Sequence, residues 1–481
     1  MLGDVATIRR RPRLVGFLLA FALLAVAACG QKPGVHVAAT GGGQLGGGEL
    51  AGGELGGGEL AGGDLSGGDG SAGSAEGGST AEGGAAGGGA AGGGAGGGGG
   101  GAAAGGGSQK PTGSDRTGAG PDALVVAVHA PVTGAAPLPS TSFEEAADLY
   151  WRRIIEIDKG DVLGRKKVEV LFKDDKYQPN TAVQACRELA ARAFLLVGGG
   201  GTDQIQACGR FASQARVPYL SAGVTEAGLR DLPWYFATSM SYKQQGPLLA
   251  QYVAKNFGGK KVAMIVTDTP NFDDAVEGWE GSLSKNGINY YKTLRHAKGD
   301  NSWYTQFGSE LRSNGVEVVY MLTAPVDYIR FAQQNSGAFQ FVGVGITQGL
   351  NAVLESGCPH VDNGQFFSPS PGLDWAAQNE PEFFDTAQKL GAPADDIGLL
   401  LWGNAKVQHE MLKRYQGIFG NDLTREDFRA MLEQQQNIKT DVFGPLSYSP
   451  TDHFGGSQVH VLRANCAEEQ YKTIHTFVTG F

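Results

Sequence analysis

Two loops concentrate the residues through which this chain could hold or attack a small molecule. The first, Gly198-Gly199-Gly200-Gly201-Thr202, joins the apolar run Phe194–Val197 to a segment of helical spacing. Glycines let backbone approach a bound group closely. The first free N–H groups of a helix, with Thr202 expected as cap, make an anion-binding end. Spacing argues against a nucleotide loop: Gly-Lys-Ser/Thr is absent, and Gln204 or Asp203 stands where a dinucleotide loop needs its third glycine. The second loop, Ser221-Ala222-Gly223-Val224-Thr225, again offers hydroxyls and small residues, but Tyr219 replaces the first glycine of a nucleophile elbow. Ser282 and Lys285 keep a Ser-x-x-Lys spacing without its companion motifs. No Ser/His/Asp order and no His-Glu-x-x-His is found, so binding is expected and catalysis is not. An exported hydrolase using Ser221 or Ser282 is the enzymatic alternative. Tyr242 and Phe272 are the aromatic candidates to line a cleft, whereas Trp234-Tyr235-Phe236 is expected in a core.

Those loops need elements to position them. From Ala123 onward short valine-rich runs alternate with helical spacing: Leu124–His129, Phe143–Ile157, Val168–Phe172, Thr181–Ala193, Phe194–Val197, Thr202–Gln214 and Val217–Leu220. A second series resumes with Val262–Thr267, Phe272–Asn286, Ile288–Leu294, Trp303–Ser313, Val316–Leu322, Val326–Ser336 and Phe341–Val344. Such alternation predicts an α/β fold of mostly parallel sheets flanked by helices, in two Rossmann-like lobes. Later come helices near 380–390, 397–419 and 425–435, then a β-rich tail at Gly444–Tyr448, Gln458–Arg463 and Tyr471–Thr476. Ligands of such sheets bind beyond the carboxyl ends of the strands, so two facing sheets predict a cleft that closes on something small. The expected division is 121–241 with about 370–445 for one lobe, and 242–369 with about 446–481 for the other, joined by a multi-strand hinge.

Composition sets outer limits. The chain has 481 residues, 78 of them glycine, and a formal charge of 39 − 49 = −10. An acidic chain matches a phosphate backbone poorly, so nucleic acid is excluded as a partner. Arg9, Arg10, Arg11 and Arg13 followed by the apolar Leu14–Ala28 read as an export signal over 1–28, too short to span a membrane. Val26-Ala27-Ala28-Cys29 resembles a bacterial lipobox, which implies lipidation of Cys29, the rest of 29–40 following it. From 41 to 120 glycine-spaced repeats predict a disordered linker: Leu45, Leu50, Leu55, Leu60 and Leu65 recur every five residues, a period that builds no helical stripe or strand face. As a coil it would span roughly 50 Å. Cys186, Cys208, Cys358 and Cys466 remain, an even count that suits two disulfides in an exported domain; three connectivities are open, and Cys186–Cys208 with Cys358–Cys466 is preferred. No pair has metal-ligand spacing, and no metal or cofactor is expected.

The residues from Ala123 to Phe481 resemble the Type I periplasmic binding proteins of the leucine/branched-chain amino acid group. The likeness rests on Val125–Gly134, Asp174-Asp175 with Pro179 and Cys186, the loop to Thr202, Ser221–Thr225, Gln245-Gly246-Pro247 and Gly444-Pro445-Leu446. It implies a monomeric, membrane-anchored extracytoplasmic receptor that delivers a solute to the permease of an ABC importer. A ligand sensor built on the same clamshell is the alternative. It further implies that Thr202, Gly223 and Thr225 hold the ligand from the first lobe and Phe272 from the second; Ser221 and Tyr242 are further candidates from their own places in the loops. Departures bear on the ligand. Where the family's amino-acid binders place an acid, the chain reads Gly343-Val344-Gly345-Ile346-Thr347, and Ala324 stands where an aromatic is usual. A buried ammonium without a counter-charge costs several kcal/mol, so an acid, amide or aromatic compound lacking it is expected unless Asp268 or Asp327 restores the pairing.

Overall fold

A computed structural model describes residues 109–134, 136–345 and 350–481. The export signal, Cys29 and the linker up to 108 lie outside the described residues. The first sheet is built from β1 (Ala123–Ala130), β2 (Lys167–Asp174), β3 (Leu195–Gly198), β4 (Tyr219–Ser221) and β5 (Tyr235–Ala237). Its order is β2-β1-β3-β4-β5, and every pairing is parallel. The second contains β6 (Lys261–Thr267), β7 (Asn289–His296), β8 (Val318–Leu322), β9 (Gln340–Gly343), β10 (Gln365–Ser368), β11 (Val459–Asn465) and β12 (Gln470–Val478). Here the order is β12-β11-β10-β9-β8-β6-β7, parallel up to β10 and antiparallel through β11 and β12.

Continuous apolar strands such as Val262–Val266 and Val318–Leu322 are buried on both faces, as a parallel sheet between helices requires. One core surrounds Trp151, Phe194, Phe383, Trp402 and Phe428, and another Trp303, Tyr304, Phe331, Phe341 and Phe366. A third cluster runs through both sheets, from Tyr219 and Tyr235 past Tyr242 and Trp279 to Tyr320. The chain passes between the sheets after β5, after β10 and before β11.

Several local expectations need correction. The stretch Phe143–Ile157 is not one helix: it breaks into Ser140–Glu145, Leu149–Arg152 and a π-turn over Arg153–Ile157. Gly444–Tyr448 joins neither sheet and makes only isolated bridges at Leu446. The end of the expected linker is ordered by polar contacts. Gln109 N–H donates to Ile418 O, and Asp427 accepts from Thr112 N–H, Thr112 Oγ1 and Gly113 N–H at 2.8–2.9 Å. Arg425 Nη1 lies 2.9 Å from Asp115. Disulfides join Cys186 to Cys208, between two helices of the first half, and Cys358 to Cys466, fastening the β11–β12 turn to the second. His129 has its ligand atoms within 4.8 Å of the Cys186 and Cys208 sulfurs, but the disulfide uses both thiols.

Candidate functional site

A cavity of about 100 Å³ lies between the halves. The Gly198–Thr202 turn forms one wall. Gly201, at φ 77°, is the N-cap of the helix Thr202–Gln214, so Thr202 is the first helical residue and not the cap as expected. No side chain caps this end, and the first intrahelical bond is Ile205 N–H to Gly201 O. The N–H groups of Thr202, Asp203 and Gln204 are therefore left without an intrahelical acceptor. Beside them stands Gly223, where a Cβ would lie 2.4 Å from Ser239 O, so only glycine fits against the chain crossing.

The second half closes the cavity with Tyr242, Gln245, Phe272, Leu322, Ala324 and Gly345. The rings of Tyr242 and Phe272 are 6.1 Å apart. Burial pushes the Tyr242 hydroxyl well above its ordinary pKa, against the opposing influence of the Thr202 side chain beside it. Gln245 Nε2 donates to Met240 O at 2.8 Å, and its Oε1 has no partner among the described residues. Leu350, Ile397, Leu400, Leu401 and Asn404 supply the far wall. None of the described lining residues carries a charge, and residues 346–349, outside the description, are Ile-Thr-Gln-Gly.

An antechamber of about 270 Å³ adjoins this cavity and shares Ala136, Tyr177, Thr202, Phe272 and Ala324 with it. Here charges appear, as Asp203, Lys298, Asp327 and Arg330. Asp203 bridges the halves: it accepts from Asn271 at 2.5 Å and pairs with Lys298 at 2.9 Å, and Lys298 sits 4.6 Å over the Tyr177 ring. Burial, with the carboxylates of Asp203, Asp327 and Asp175 nearby, pushes the Tyr177 hydroxyl up to about 12.

Of the six residues singled out from the sequence, Thr202, Gly223, Tyr242 and Phe272 line the cavity. Ser221 and Thr225 do not. Ser221 is buried, its hydroxyl between Ala222 O and the Tyr235 hydroxyl. Thr225 is buried too and donates to Asp274 at 3.1 Å, a contact between the halves that Glu226 N–H reinforces. Burial raises the Asp274 pKa, opposed by those hydrogen bonds. Ser282 donates to Gly278 O inside a helix. Sequence reasoning missed Tyr177 and the helix residues Ile397–Asn404. Apolar spacing there reads as ordinary core, and nothing in the sequence announces Tyr177.

Comparison with known proteins follows this architecture. Residues 123–470 match the family model described as periplasmic binding protein. The Leu/Ile/Val-binding protein homolog 3 of Brucella melitensis is 26% identical over 201 residues, 41% of this chain and 53% of that protein, so the match spans about half its length. A fatty acid ABC transporter substrate-binding protein from Thermomonospora curvata superposes with a TM-score of 0.64 at 15% identity, over 76% of this chain and 95% of that one. An ABC transporter solute-binding protein from Rhodopseudomonas palustris, in complex with 3,4-dihydroxybenzoic acid, gives 0.59 at 18% identity, over 75% and 98%. The doubly sheeted fold and the extent of the family match together place this chain in the periplasmic binding protein family.

Proposed function

We propose that this chain is an extracytoplasmic, lipid-anchored receptor that captures a small organic acid with an apolar body and hands it to an ABC importer. The observation that carries the reading is a cavity whose described lining bears no charge and that has the helix start at Thr202 on one wall. Thr202 and the unengaged N–H groups of its helix can receive a carboxylate, because the helix terminus presents partial positive charge to an anion. Leu138, Phe143, Leu400 and Leu401 suit a hydrocarbon or aromatic body. An α-ammonium group would be desolvated there without a carboxylate beside it, at a cost of several kcal/mol. Relatives whose names mention fatty acid and dihydroxybenzoic acid support this class. Anchoring through Cys29 and delivery to a permease belong to the same proposal and rest on the lipobox and on the family.

A thermal-shift screen tests the ligand class. Benzoate, hexanoate, leucine and valine would each be added to the chain over a wide concentration range. A ligand at 100 times its Kd stabilises the folded state by about 2.7 kcal/mol. Benzoate or hexanoate should raise Tm where leucine and valine do not; a shift with the amino acids alone would sink the reading.

A further inference from the structure

Lys176 and Tyr177 sit back to back in the left-handed region, at φ 56° and 57°. Each such residue costs about 1–2 kcal/mol, so surrounding contacts must hold the turn. Asp174 Oδ1 accepts from Lys176 N–H at 2.9 Å and Asp175 Oδ1 from Tyr177 N–H at 3.0 Å. Asp175 is itself fixed from below: its Oδ2 lies 2.8 Å from His129 Nδ1, and His129 Nε2 lies 2.7 Å from the Tyr219 hydroxyl. Asp175, His129 and Tyr219 are all buried, and Gly199 N–H donates to His129 O, so the network lies directly beneath the glycine turn of the cavity.

From this turn Tyr177 lines both the inner cavity and the antechamber. The other shared walls are different in kind. Ala136 and Ala324 are small, Thr202 belongs to the anion-binding end, and Phe272 packs against Tyr242. Of the two large shared side chains, Tyr177 is the one that can be removed while leaving both the Thr202 turn and the Tyr242–Phe272 pair in place.

We propose that Tyr177 is a specificity-determining residue. Its ring, held in a left-handed turn by the His129–Asp175 network, walls off the polar end of the cavity and restricts the solute to an acid whose carboxylate bears no extension. The inference rests on the organic-acid reading above. The space it denies to ligand is lined by Asp203, Asp327, Asn301, Lys298 and Arg330, donors and acceptors that suit the amide and carboxylate of a peptide-like extension of the head group.

The test compares each acid with its glycine conjugate, benzoate with hippurate and hexanoate with hexanoylglycine, by isothermal titration calorimetry on the full chain. Variants are Tyr177→Gly and Tyr177→Phe. Glycine accepts positive φ without strain, so Tyr177→Gly relaxes the turn as it opens the wall. Wild type should bind the parent acid at least tenfold more tightly than the conjugate. Tyr177→Gly should narrow that ratio tenfold or more, and Tyr177→Phe should keep it. Because the ratio compares two ligands on one protein, a general loss of affinity from the missing Lys298 contact cancels. An unchanged ratio in Tyr177→Gly, or wild-type binding of hippurate as tight as benzoate, overturns the inference. An equal narrowing in Tyr177→Phe would assign the effect to the hydroxyl and also overturn it. Absence of binding by both parent acids defeats the organic-acid reading, and this inference with it.

Discussion

Asp396 shows what burial does to a single carboxylate. It lies half-buried at the start of a helix, accepts from Asn351 N–H of the other half at 2.5 Å and from Ile397 N–H at 3.0 Å, and is still pushed up to about 6. Desolvation is the largest cause, and the like charge of Asp395 adds to it. With a folded pKa above the unfolded 3.8, its contribution to stability is full below about pH 4 and is lost as pH rises through about 6. Asp396→Asn should therefore stabilise the protein by about 1–3 kcal/mol at neutral pH and change little near pH 4. His409 and His460, lowered to about 4 chiefly by burial, act in the opposite sense, so the difference between the two Tm–pH profiles is the measurement that isolates Asp396. Two hydroxyls near the loops make a second contrast. Thr202→Val should weaken acid binding about tenfold in calorimetry, since a hydrogen bond to a charged group contributes about 1.5–3 kcal/mol. Ser221→Ala should leave affinity unchanged, because its bonds are internal. The sequence offered both hydroxyls equally; in the fold Ser221 ends a strand and bonds inward, whereas Thr202 opens a helix and lines the cavity.

Among the elements, the ordered strap Gln109–Gly120 changes where the folded part begins. Its composition is that of a linker, rich in glycine and polar residues, and no apolar pattern marks it. Contacts from a helix some 310 residues away hold it, so local sequence carries no sign of it. Asp427 and Asp115 are held below the usual carboxylate range: burial acts to raise them, and their hydrogen bonds, with Arg425 beside Asp115, outweigh it. A chain starting at Pro121 should unfold at lower urea than one starting at Gln109, by about 2–4 kcal/mol. Its removal leaves the buried Arg425 without its carboxylate and Asp427 without three donors. Equal midpoints would show that the strap is incidental. The strands of the parallel sheets were easier to read, because continuous apolar runs bounded by glycine have few other uses. β10, Gln365–Ser368, escaped notice: four residues after a turn make too short a pattern to stand out. The break within Phe143–Ile157 was hidden for another reason. Its apolar residues keep helical spacing across the interruption, and Tyr150 and Trp151 beyond it pack against Trp402 and His409.

At the scale of the molecule, the halves are closed on one another through Asp203–Lys298, Asp203–Asn271 and Thr225–Asp274. The Asp203–Lys298 pair is partly exposed, so its direct contribution is small. Lys298→Ala should weaken solute binding only about two- to fivefold, with the loss shrinking as salt is raised. A much larger loss, insensitive to salt, would mean that Lys298 touches the solute itself. Amino-acid order alone determined that this is an α/β protein with two series of parallel strands, and it picked out the glycine turn at Thr202 and the aromatics Tyr242 and Phe272, which line one cavity. Periodicity, glycine and helix-end chemistry are local properties, legible wherever they occur. Tertiary structure alone decided that Thr225 clasps the halves together, that residues of Ile397–Asn404 from a distant helix complete the cavity, and that Tyr177 lines both it and its neighbour. Those roles depend on which segments meet across the closed cleft and on a left-handed turn held by a buried histidine–aspartate network, and neither leaves a period or a motif behind.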